Sequence, residues 1–136
     1  MRNHVASDAE TQNLASARAY LAAFSTGDPN AIADKVAEDF VNDQPGELAS
    51  GCRGREVYRQ KLAGFLAAFE GLTYTIDMLF GEGNYACAAY TMRAKSDGYP
   101  IEIRGVMVLT LRDGLIAKRS DYWDGLSYLR QVGKVP

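Results

Sequence analysis

The side chains best suited to chemistry stand together near the C-terminal end, in the run Arg119-Ser120-Asp121-Tyr122-Trp123-Asp124. On an extended strand alternate residues share a face, so Arg119, Asp121 and the only tryptophan of the chain, Trp123, project to the same side. A carboxylate facing an apolar interior is what a small acid/base enzyme needs. The same carboxylate tied to Arg119 serves a structural network instead, and both readings stand open at this point. Asn42 and Gln44, two amides of one parity just before Pro45, offer polar positions for a ligand. Tyr20, Tyr90 and Met107 offer apolar walls, with core packing as the alternative for each.

Other chemistries find little support. The single histidine, His4, falls in a stretch (residues 1–6) expected to be a disordered tail, so neither histidine triads nor histidine-rich metal sites are expected. Cys52 lies in a glycine-rich loop and Cys87 in a strand, which reads as two free thiols. No metal and no cofactor is implied. Arg53, Arg55 and Arg59 read as a solvated face.

The elements that must position these residues follow from periodicity. Ser7 with Glu10 forms a capping box, and Leu14, Ala17, Leu21 and Phe24 recur at helical spacing until Gly27. Asp28-Pro29 starts a second, short helix whose buried side is Ile32, Val36 and the following Phe40. A brief strand covers Phe40 to Gln44, and a loop through Gly51 and Gly54 leads to a third helix with Tyr58, Leu62, Phe65 and Phe69 as its apolar stripe, ending at Gly71. Four strands are expected over Thr73 to Phe80, Tyr85 to Lys95, Ile101 to Leu111 and Ile116 to Asp124. Short turns such as Ser96-Asp97-Gly98 and Arg112-Asp113-Gly114 make them an antiparallel meander.

Three helices followed by a long sheet give an α+β fold with helices on one sheet face. In Ile101 to Leu111 the odd residues are the more apolar and should face the helices. The even set still contains Val106 and Val108, which suits a homodimer formed through the outer sheet face. The 136 residues, 47% of them hydrophobic, suit a single domain over 1–136. A net charge of −2 from 15 basic and 17 acidic residues gives no footprint for nucleic acid. No segment reaches the roughly 20 apolar residues that span a bilayer, and the N-terminus has no apolar leader, so a cytoplasmic protein away from membranes is expected.

Several stretches carry a resemblance over nearly the whole chain: Ala19-Tyr20-Leu21-Ala22-Ala23-Phe24-Ser25-Thr26-Gly27-Asp28, Ala37-Glu38-Asp39-Phe40-Val41-Asn42, Gly54-Arg55-Glu56, and the Asp113-Gly114 turn leading to Asp121-Tyr122-Trp123-Asp124. In their order and spacing the chain resembles the nuclear transport factor 2-like superfamily and, within it, the SnoaL-like group. The resemblance implies a cone-shaped fold, with three N-terminal helices on a curved antiparallel sheet, a pocket between them, and often a dimer. It leaves the chemistry open, since the superfamily holds isomerases, cyclases, hydrolases and binding proteins.

Position by position, the resemblance to ketosteroid isomerases keeps Tyr20 but puts Gln44 at the base and Met107 at the second carboxylate. Glutamine takes no substrate proton at neutral pH and methionine donates no hydrogen bond, so that activity is not expected. Asp43 in the base's place would point to the other side of its strand. Against the limonene-epoxide-hydrolase-like pattern, Asp121 matches the base and Asn42 and Gln44 the water-holding pair, but the arginine and the second carboxylate fall near Ala88 and Tyr90. The SnoaL-like cyclases match best, since their ring closure needs mainly one aspartate, here Asp121, acting as acid and base in an apolar pocket. The expected function is therefore acid/base chemistry on an apolar small-molecule ligand. The rival is a non-catalytic binding or interaction domain, and a third reading has the pocket filled by Tyr90, Met92, Met107 and Trp123.

Overall fold

A computed structural model describes residues 7–136; His4 and the expected tail lie outside them. Helix α1 (Asp8–Ala23) opens with the capping box read from the sequence: Ser7 Oγ accepts from the Glu10 amide while Glu10 reaches back to the Ser7 amide. A 3₁₀ turn (Phe24–Thr26) ends at Gly27, whose φ of +69° is open to glycine at little cost. Helix α2 (Pro29–Ala33) is shorter than expected. Val36 is not on it but begins strand β1 (Val36–Asp43), which starts four residues before the strand anticipated at Phe40.

A two-residue strand β2 (Cys52–Arg53) precedes α3 (Arg55–Ala68), which stops before Gly71; Gly71 already lies in β3 (Glu70–Glu82). Strands β4 (Tyr85–Ser96), β5 (Tyr99–Arg112) and β6 (Leu115–Trp123) follow. The β4–β5 and β5–β6 turns, Asp97-Gly98 and Asp113-Gly114, have positive φ at both residues, the pair of conformations that a two-residue hairpin requires. Asp124, expected as the end of the last strand, instead caps a fourth helix, α4 (Gly125–Gln131), by accepting from the Leu126 and Ser127 amides.

The strand order is β2-β1-β6-β5-β4-β3. Strands β3 to β6 form the anticipated antiparallel meander, but β1 pairs with β6 in parallel, so the curved sheet is mixed rather than antiparallel. Local turns dictate the meander. The β1–β6 pairing closes only after α3 and four strands have intervened, and no turn encodes it. The result is an α+β cone in which the helices cover the concave face.

On β5 the odd residues Ile101, Ile103, Met107, Leu109 and Leu111 are buried, while Val106 and Val108 are exposed. On β6 an extra residue, Ala117, separates the Thr110–Lys118 and Leu111–Ile116 pairs. This bulge changes the phase of the strand, so that Ile116 before it and Arg119 and Asp121 after it all face the interior. No helix among the described residues is long and apolar enough to cross a membrane.

Candidate functional site

The concave face encloses a cavity of about 430 Å³. That falls within the size range of small-molecule sites, and Tyr90, Met92 and Trp123 line it. One wall is the apolar stripe of α3, with Tyr58, Leu62, Phe65 and Phe69. Opposite stand residues of the sheet, among them Tyr74, Tyr90, Met92 and Ile103, and the lip is made by the loop Leu48-Ala49-Ser50 and by Tyr128 of α4. Asn42, Gln44, Arg119, Asp121 and Trp123 also face this space. Tyr20 and Met107 do not. Both are fully buried, Tyr20 behind Arg119 and Met107 beside Asp121 in the β5–β6 register.

Asp121 is the only carboxylate on the cavity wall among the described residues. It sits at the centre of a network drawn from five elements. Its Oδ2 accepts from Arg119 Nη2 at 2.5 Å and its Oδ1 from the Tyr90 hydroxyl at 2.6 Å, so the plane of the carboxylate is fixed from both sides. Arg119 also donates to the hydroxyls of Tyr20 on α1 (3.0 Å) and Tyr74 on β3 (3.3 Å). Tyr20 in turn shares a 2.5 Å hydrogen bond with Tyr58 on α3. The faces of Phe24, Tyr20 and Tyr74 lie within 6.0 Å of the guanidinium carbon and add cation–π attraction. Of the buried side-chain polar atoms described, only Arg119 Nε lacks a partner.

The electrostatics follow from burial and this wiring. Burial works against the Arg119 charge, but Tyr20, Asp121 and Tyr74 outweigh it and the guanidinium stays protonated. Burial, then the neighbouring Asp121 charge, pushes the Tyr90 phenol far up. Burial pushes the Tyr74 phenol up to about 12, partly offset by Arg119, and it also raises Tyr58 well above the usual range. These phenols therefore keep their protons at physiological pH; Tyr90 donates its own to Asp121, whereas Tyr74 accepts from Arg119.

The two amides form a second, smaller chain: Trp123 Nε1 donates to Gln44 Oε1 at 3.4 Å and Gln44 Nε2 to Asn42 Oδ1 at 3.0 Å. Asp43, between them, points to the other sheet face and accepts from Ser120. The arginine of the pair comes from β6 itself, two residues from Asp121, and not from the neighbourhood of Ala88, which is core. Tyr90 supplies a phenol where the hydrolase-like pattern would have placed a carboxylate.

Tyr90 reaches Asp121 only because the chain leaves room. Its ring lies over Gly105 of the intervening strand, where a Cβ would stand 2.6 Å from Tyr90 Cζ and 2.8 Å from the Tyr122 carbonyl oxygen. Sequence reasoning missed Tyr74, which lies on the same face as Ile76, and read Tyr58 only as core. It also missed Tyr128, although Asp124 followed by Ser127 carries a capping signal. No group of three or more histidine, cysteine or acidic side chains among the described residues could hold a metal ion.

Solved structures of the same shape are widespread. A hypothetical protein of ketosteroid isomerase-like fold from Catenulispora acidiphila DSM 44928, in complex with trimethylamine, aligns at a TM-score of 0.81 and 24% identity, covering 89% of this chain and 93% of that one. A protein assigned as a SnoaL-like polyketide cyclase from Jannaschia sp. CCS1 gives 0.82 at 16% identity, covering 98% and 100%. An LEH-like epoxide hydrolase of M. tuberculosis gives 0.79 at 19%, covering 92% and 95%. At these identities the likeness is one of fold. Among curated proteins, none matches the sequence. The model of the SnoaL-like domain matches residues 17–119, from the middle of α1 to Arg119, and the chain belongs to that family, within the nuclear transport factor 2-like superfamily.

Proposed function

We propose that the protein is a cofactor-independent acid/base enzyme acting on an apolar small molecule held in the cavity, in the manner of SnoaL-like cyclases, with Asp121 as the proton acceptor and donor. The observation that carries this reading is the position of Asp121: the one carboxylate among the described residues of a wall rich in aromatic and aliphatic side chains, oriented at both oxygens, with a donor on each. Each carboxylate oxygen has a second lone pair, so a substrate proton still has a place to go. Asp121 takes a proton from carbon next to a carbonyl, the walls bring the resulting enolate carbon onto a second carbonyl, and the proton is returned to the alkoxide as the new C–C bond forms. Asn42 and Gln44 hold the carbonyl groups, Tyr90 and Arg119 hold the base, and Trp123 forms part of the wall.

A test that needs no knowledge of the natural substrate uses 2-tetralone in D₂O. Exchange of its α-hydrogens, followed by NMR, should be faster with the protein than with buffer and should fall to the buffer rate in Asp121→Asn, with the circular dichroism spectrum unchanged. A variant that exchanges as fast as the parent would sink the mechanism, and a parent no faster than buffer would sink ketone-directed chemistry.

The second reading is a non-catalytic ligand-binding domain, favoured by the capture of both Asp121 oxygens by Tyr90 and Arg119. It predicts that Asp121→Asn lowers stability and alters no chemistry. Dimerisation belongs to either reading. On the outer sheet face the strand register aligns Met78, Ala89, Val106 and Tyr122 in one row and Phe80, Cys87, Val108 and Ser120 in the next. Met78, Phe80, Val106, Val108 and Tyr122 are exposed, a surface suited to a second copy of the chain. Sedimentation showing only monomer at micromolar concentration would remove this assembly.

A further inference from the structure

The cavity wall carries three charged side chains, and two of them cancel. Arg119 and Asp121 are a contact ion pair at the deep end. The third is Lys61, on the α3 turn that follows Tyr58. Its neighbour Arg59 is engaged by Asn30, Glu56 and Asp34, whereas Lys61 has no ion pair or hydrogen bond among the described residues. The cavity therefore holds one uncompensated positive charge.

The helix around it is open. Gly64, three residues on and also on the wall, would meet nothing within 4 Å if it carried a Cβ. Glycine in a helix interior costs roughly 1 kcal/mol against alanine. Packing does not require it here, and its effect is to keep space free beside Lys61. Ser50, across the lip, contributes a hydroxyl on the same wall.

We infer that the ligand is an amphipathic anion: an aromatic or alicyclic body that fills the cavity toward Asp121 and a carboxylate-like group that stays at the mouth on Lys61. This deepens the proposed function by naming the substrate class, and it rests on the reading of the cavity as a ligand site but not on catalysis by Asp121.

The experiment compares two fluorescent probes of one skeleton, 8-anilinonaphthalene-1-sulfonate and the uncharged N-phenyl-1-naphthylamine, titrated into the parent protein, Lys61→Met, Lys61→Arg and Asp121→Asn. The anion should bind the parent about three- to tenfold more tightly than Lys61→Met, as expected for a partly solvated charge pair, with the neutral probe unchanged. Lys61→Arg should restore the preference, and raised salt should shrink it. An anion affinity unaffected by Lys61→Met, or a parent that binds neither probe, would overturn the proposal. Asp121→Asn separates the two readings: a retained anion preference with lost tetralone exchange supports both, and a retained preference with full exchange supports only the anion site.

Discussion

Two arginine–aspartate pairs occur at different depths of the same sheet. Arg119 and Asp121 lie two residues apart on β6, with side chains 5% exposed, and every other partner of the guanidinium is an aromatic residue. Arg112 and Asp39 come from β5 and β1, also as a close ion pair, yet they are 54% and 69% exposed. The short contact is common to both, so distance does not distinguish them. Burial does: a solvated pair exchanges water for protein at little net gain, whereas in a buried pair each charge lacks bulk water and depends on the other for its neutralisation. The inner pair is thus both the chemical centre of the cavity and the place where the fold is most easily broken.

The comparison is broken most severely by removing one inner partner. Asp121→Ala leaves Arg119 charged and buried, and should lower unfolding free energy in urea by about 3 kcal/mol, the low end for an orphaned buried ion because Tyr20 and Tyr74 still bind it. Asp121→Asn keeps an acceptor for Arg119 and should lose clearly less. Equal losses for the two variants would mean that the charge of Asp121 is not what balances Arg119.

A finer test acts on the pair through the strand between Tyr90 and Asp121. Gly105→Ala puts a methyl group against the Tyr90 ring and the Tyr122 carbonyl, and should cost roughly 1–3 kcal/mol as an overpacked site. In a Tyr90→Leu background the clash with the ring disappears and only the contact with the Tyr122 backbone remains. A double-mutant cycle should therefore show coupling above about 0.5 kcal/mol. Strict additivity would show that Gly105 does not set the position of Tyr90.

Why some of this was legible in the chain and some was not has a physical basis. Ser7 with Glu10, and the Asp97-Gly98 and Asp113-Gly114 turns, act within four residues, so the first helix and the meander could be read directly. The common face of Arg119, Asp121 and Trp123 depends on alternation after the Ala117 bulge, and so it survived a bulge that the sequence did not reveal. The parallel β1–β6 pair, the reach of Tyr90 over Gly105 and the Tyr20–Arg119 bond span 31 to 99 residues and depend on sheet register. Helix α4 is not anticipated from the sequence, which gives its cap Asp124 to the last strand, because Asp124 follows Trp123 without a break and none of the α4 residues is fully buried. Tyr20 and Met107 have the composition of pocket walls, but the helix face and strand layer that carry them lie one shell deeper than the cavity.

The smallest expected effect comes from the outer pair and completes the contrast. The Arg112 guanidinium beside Asp39 holds that carboxyl below the usual carboxylate range, its hydrogen bond being the main cause. A lowered folded-state pKa stabilises the fold above the unfolded pKa and loses that contribution as pH falls through the folded value. Any effect of the pair is therefore present at neutral pH and disappears only in the acid range below about 4. Because both side chains are open to solvent and salt, Asp39→Asn should leave the neutral-pH melting temperature within experimental error, and the parent and variant curves should converge further as pH drops toward 2. A loss at neutral pH comparable to that of Asp121→Asn would mean that geometry, and not burial, decides what an arginine–aspartate pair contributes to this sheet.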